Sequence, residues 1–84
     1  MTFYVYILYS ATIDRFYIGH TGQAISERIG KHLSSHRGFT SRAKDWQLYY
    51  YEEFTSKSLA YRREMEIKRK KSRKYIIELK FPAT

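Results

Sequence analysis

Apolar residues run almost without interruption at the start of the chain and settle into a helical spacing further on. Phe3 to Tyr9 is a row of β-branched, aromatic and aliphatic residues, and Arg15 to Gly19 repeats that chemistry. Rows of this kind predict two β-strands, with Ser10-Ala11-Thr12-Ile13-Asp14 as the hairpin loop between them. A loop centred near Ala11 and Thr12 sets Tyr6 opposite Tyr17 on one sheet face, their Cβ atoms about 5 Å apart. Between residues 24 and 34, Ile25, Ile29 and Leu33 stand four apart, the buried stripe of a helix, with Arg28 and His32 beside it and one turn from each other. Gly30 costs this helix about 1 kcal/mol relative to alanine, too little to cancel the pattern.

Trp46-Gln47-Leu48-Tyr49-Tyr50-Tyr51-Glu52-Glu53-Phe54 predicts a third strand, antiparallel to one of the first two. Thr55 or Ser56 then caps a second helix running to about Lys71. Ala60, Glu64 and Ile67 fall on one face of it, which turns Glu64 inward. Ser72 caps a short last helix that buries Tyr75, Ile76 and Leu79 before Pro82, the single proline.

At 84 residues the chain has room for one domain, 1–84, with a modest core. The absence of cysteine excludes disulfides, thiolate zinc sites and a thiol nucleophile, and fits a reducing compartment. No apolar stretch approaches the roughly 20 residues that cross a bilayer, and the start of the chain has no basic leader pattern. The expectation is a soluble, cytoplasmic protein without a membrane partner.

Charge points to the partner. The formal balance is +8, from 16 Lys and Arg against 8 Asp and Glu, and much of it lies in two blocks, residues 36–44 and 68–74. The second block alone reads equally well as a solvated helix face. The first mixes Arg37, Arg42 and Lys44 with His36, Thr40, Ser41 and Phe39 around Gly38, a composition suited to following a phosphate backbone. Nucleic acid is the expected partner, with His20, Arg37, Arg42, Lys44, Lys68 and Lys71 as its candidate contacts.

Tyr6, Tyr17, Arg28, His32 and Glu64 are the candidate catalytic residues. Read singly, each has an ordinary explanation: the tyrosines as strand formers, Arg28 as a partner of Glu27 or Glu64, His32 as cover for the core edge, Glu64 as a bridge to Lys68. Read together they are harder to dismiss, because a small core gains nothing from inward charges that cost several kcal/mol when unpaired.

With Tyr4-Val5-Tyr6 and Tyr17-Ile18-Gly19 as half-motifs, Arg28 and His32 on the first helix and Glu64 within Arg62-Arg63-Glu64-Met65-Glu66-Ile67-Lys68, the chain resembles the GIY-YIG nuclease superfamily. It is most similar to small stand-alone bacterial proteins akin to the nuclease domain of the excision-repair endonuclease. The resemblance spans about Phe3 to Leu79. It implies an α+β fold, a three-stranded antiparallel sheet flanked by helices, and phosphodiester hydrolysis with one divalent metal, Mg2+ or Mn2+, on Glu64. Arg28 would bind phosphate and offset transition-state charge. Tyr6, its phenolate favoured by nearby positive charge or metal, would take the proton of attacking water, with Tyr17 and His32 orienting water and phosphate or sharing that proton. The sequence departs from the family at two points: it has no asparagine to follow the glutamate, and it has His20 where several members carry a lysine after the second half-motif. The expected substrate is DNA in preference to RNA, branched, nicked or single-stranded, cut with low sequence specificity. A catalytically inactive nucleic-acid-binding module on the same fold is the alternative, and a protein partner supplying specificity or activation fits either.

Overall fold

A computed structural model of the chain describes residues 1–34 and 36–82. Strands β1 (Phe3–Ser10) and β2 (Arg15–Thr21) form the first hairpin, followed by helix α1 (Ile25–Ser34), a short 3-10 helix (Phe39–Arg42), strand β3 (Gln47–Phe54) and helices α2 (Lys57–Lys70) and α3 (Arg73–Lys80). All three strands are antiparallel, in the order β2-β1-β3. The central position of β1 explains its unbroken apolar run. Covered on both faces, Val5, Tyr6, Ile7 and Leu8 are all buried, so no position in that stretch is left to be polar.

The sheet separates two apolar clusters. On one face Val5 and Ile7 pack with Ala60 and Ile67 of α2 and Ile76 of α3. On the other, Tyr6 and Leu8 pack with Ala43 and Trp46, backed by Ile29 and Leu33 of α1. Ser56 and Ser72 cap α2 and α3 as the sequence suggests, accepting hydrogen bonds from the backbone N–H of Leu59 and Tyr75. On the α2 side, Arg63 donates through two nitrogens to Glu52, at 2.9 and 3.0 Å, and through its remaining nitrogen to the Tyr75 hydroxyl. This arginine ties β3 to both helices. Burial and the Glu52 carboxylate push the Tyr50 phenol beside it up to about 12. Among the described residues no helix is long and apolar enough to cross a membrane.

The hairpin register differs from the expected one. Tyr6 pairs with Gly19, and Tyr17 pairs with Leu8. The strands extend to Ser10 and from Arg15, and the turn between them includes Asp14 at φ 52, in the left-handed region. Asp45, just ahead of β3, holds this turn by accepting from the Ser10 hydroxyl (2.5 Å), the Thr12 N–H (2.9 Å) and the Thr12 hydroxyl (2.8 Å). The turn centre therefore sits one residue later than expected and the pairing shifts by two. A shift of two preserves the face, since side chains alternate with period two. Tyr6 and Tyr17 remain neighbours on one side, ring centroids 6.3 Å apart. In α1 the expected apolar stripe is only half-buried at Ile29, and His32 is buried beside it.

Candidate active site

Gly19 makes the site possible. The ring of Tyr6 lies across it, so close that a Cβ on Gly19 would stand 2.6 Å from the Tyr6 hydroxyl and 2.7 Å from Cζ. Since β2 is an edge strand, the bare backbone at Gly19 lets the Tyr6 hydroxyl from the central strand approach the sheet margin. There it meets α1. His32 Nε2 lies 2.8 Å from the Tyr6 hydroxyl, and Arg28 Nε donates to the same oxygen at 3.4 Å. His32 is locked in turn by Thr40 of the 3-10 helix, whose hydroxyl lies 3.1 Å from Nδ1. The Thr40 carbonyl accepts from the indole N–H of Trp46. Tyr17 sets its ring edge-on to His32 at 4.7 Å and stacks on Phe39.

The protons of this cluster follow from the shifts. Burial raises the Tyr6 phenol above its ordinary value of 10.0, and the Tyr17 and Glu64 charges add to the rise. The hydrogen bond from Arg28 opposes it without reversing it. Burial also lowers His32 below 6.5, helped by Arg28. Among the protein's own groups desolvation outweighs the guanidinium, so at neutral pH they favour a phenol at Tyr6 and a neutral imidazole at His32. Arginine can only donate. The phenol oxygen therefore accepts from Arg28, and the tautomer carrying its hydrogen on Nδ1, toward Thr40, leaves Nε2 free to accept from that phenol.

Glu64 arrives from the opposite face of the sheet. It is buried on α2, as its spacing with Ala60 and Ile67 predicts. Its Oε1 meets Nδ1 of His20, on the far side of β2 from Tyr6, at 2.6 Å, and its Oε2 meets Nζ of Lys68 at 2.6 Å. Of the two partners foreseen for Arg28, neither is used; it bonds Tyr6 instead. Among the described residues no three His, Cys, Asp or Glu side chains cluster as a multidentate metal site. One hard carboxylate is nevertheless a fitting donor for a mostly hydrated divalent ion shared with phosphate. Lys68, half-exposed on a flexible stem, can vacate Oε2.

The cationic candidates divide between two hollows. A cleft of about 280 Å³ is lined by Arg28, Lys31, His32 and Arg37 together with Tyr17, Phe39 and Thr40. Lys68 and Lys71 line an adjoining groove. Arg42 lies over the Phe39 ring at 5.5 Å, Lys44 is exposed, and His20 is engaged by Glu64 rather than open to a ligand. Lys31 was not among the candidate residues, and Phe39 and Thr40 figured only in the composition of the basic loop. The bond from Thr40 to His32 carried no signal, since it depends on the chain returning to α1 after Gly38.

The three-stranded antiparallel sheet with its flanking helices agrees with a family comparison: the GIY-YIG catalytic domain profile matches residues 2–76. The chain belongs to the GIY-YIG nuclease family. Comparisons with curated proteins and with solved structures returned no match.

Gly19→Ala tests the geometry directly. The added methyl collides with a buried, hydrogen-bonded ring end, so Tyr6 must move by several tenths of an ångström or more, which alters its contact with His32. We expect a folded protein with cleavage reduced about 100-fold, the order that a misplacement near 1 Å costs. Unchanged turnover would show that the ring position over β2 does not matter to the chemistry.

Proposed function

We propose that this protein is a divalent-metal-dependent endonuclease that hydrolyses phosphodiester bonds in DNA, single-stranded or structured, with low sequence specificity, acting in the cytoplasm. The observation that carries the reading is the Tyr6 hydroxyl held between Arg28 and neutral His32 at the edge of a cationic cleft. Arg28, with Lys31 and Arg37 around it, suits the non-bridging phosphate oxygens and the charge that grows on them. As a water oxygen attacks phosphorus, its proton passes to the Tyr6 oxygen while the phenol proton passes to His32 Nε2. The bond from phosphorus to the leaving oxygen breaks, and that oxygen departs with the electron pair. The relay removes the need for a free phenolate, which burial disfavours. Thr40 keeps the imidazole turned so that Nε2 is the accepting nitrogen.

Glu64 would hold Mg2+ or Mn2+, and the ion would polarise a phosphate oxygen and lower the cost of the developing charge. The occupation of both Glu64 oxygens by His20 and Lys68 favours a second reading, a nucleic-acid-binding module without turnover. A cleavage panel of single-stranded, flap and duplex DNA and of RNA, run with and without Mg2+ or Mn2+, separates the two. The enzyme gives products that require the metal and vanish with Arg28→Ala. Salt-sensitive binding with no scission on any substrate would leave only the module.

A further inference from the structure

The larger hollow, about 420 Å³, adjoins the catalytic cleft, and the rings of Tyr17 and Phe39 line both. Its size falls in the range of small-molecule sites, roughly 300–1,000 Å³. Phe16 and Ile18 of β2 and Ile67 and Ile76 of the helices give it an apolar floor. Arg15, Lys68, Lys71 and Arg73 also line it, and among the described residues no carboxylate does. Two of these cations are engaged, Lys68 by Glu64 and Arg73 by Asp14. Arg15 donates to the Asp14 carbonyl at 3.4 Å and lends its charge to the Asp14 carboxylate, which Arg73 already pairs, and among the described residues Lys71 forms no ion pair, so both can meet an anion.

Lys71 stands out by its backbone. It ends α2 at φ 46 and ψ 39, the left-handed region that glycine or asparagine fills at little cost. Its structural task there is a backbone N–H donated to the Lys68 carbonyl, which needs no side chain. A strained lysine in a glycine position on the wall of a groove points to a use for its ammonium group.

An apolar slot with an aromatic wall, cations around it and a phosphate cleft on the other side of that wall matches one chemical unit, a nucleobase on its sugar-phosphate chain. We propose that the groove receives the base of an unpaired nucleotide adjoining the scissile phosphate, against Phe39 and Tyr17, while Lys71 and Arg15 hold the neighbouring phosphates. This rests on the nuclease reading and narrows it. A base paired within a duplex cannot enter the groove without leaving its stack, so the strand must be single-stranded at that nucleotide.

The test uses the full chain and a short oligothymidylate carrying one 2-aminopurine or one abasic residue, moved a position at a time. Binding should quench 2-aminopurine strongly at one position. An abasic residue at that position should lower kcat/KM about 5- to 100-fold, the worth of one stacked base, and Phe39→Ala should erase the difference between base and abasic substrates. Lys71→Gly, which suits the left-handed backbone and so preserves the fold, should weaken binding of the same oligonucleotide. Cleavage that is indifferent to abasic residues and quenches no 2-aminopurine would overturn the groove and leave the nuclease intact, with a peptide strand along β2 as the occupant to consider. Position-specific quenching without scission would support the groove and overturn the nuclease.

Discussion

Glu64→Gln will leave the protein folded and able to bind DNA while abolishing metal-dependent scission. The amide matches the carboxylate in shape and keeps an oxygen for the His20 contact, so the buried face of α2 that also carries Ala60 and Ile67 persists. The negative charge is lost, and with it the hard donor that a hydrated divalent ion requires. Lys68 is released toward solvent and the net charge becomes more positive, so binding to a polyanion holds or tightens. We expect turnover to fall by at least about 1,000-fold, the scale on which removing transition-state charge stabilisation is felt. Cleavage near the wild-type rate in this variant, measured over a range of Mg2+ and Mn2+, would remove Glu64 from the chemistry.

The Tyr6 and His32 pair should give an unusual pH profile. His32 is lowered below 6.5, so its accepting, neutral form survives to a more acidic pH than an ordinary histidine's, and the rate should drop only as pH falls through that lowered value. Tyr6 is raised above 10.0, so its phenol form persists through the alkaline range and the rate should run flat from neutrality upward. A lone tyrosine base would behave otherwise, with a rate climbing tenfold per pH unit toward the phenol's raised value. Tyr6→Phe should cost about 10²- to 10⁴-fold in kcat. Adding His32→Ala to it should cost little more, because two members of one relay do not contribute additively. A steady rise above pH 7, with single-variant losses that multiply in the double variant, would rule the relay out.

Much of this site could be read from the chain, for a physical reason. Strand and helix periodicity determine which side of an element a residue takes, and Tyr6, Tyr17, Glu64 and the pair Arg28 and His32 each depend on nothing more. Whether Tyr6 faces Tyr17 or Gly19 depends on the turn, and the turn is set by Asp45, 35 positions from Ser10. Local pattern carries no trace of such a contact. The same limit hid the Thr40 brace on His32. The upward shift of the Tyr6 phenol was not legible because the sequence displays the nearby arginine but not the depth of burial, which is the larger influence. His20 was expected to contact nucleic acid; its position after the second half-motif gave no hint that Glu64 of α2 would meet it on the same face of the sheet.

The strand order β2-β1-β3 also sets a schedule. The most hydrophobic strand is the first made, and its second edge stays open until Gln47–Phe54 has been synthesised. During that interval Val5 to Leu8, buried in the finished fold, sit on a hairpin with a bare edge, a template for pairing with another nascent chain. Glu64 joins later still. A growing chain is thus prone to aggregation before it holds a complete active site, and the yield of working protein depends on how promptly the third strand docks.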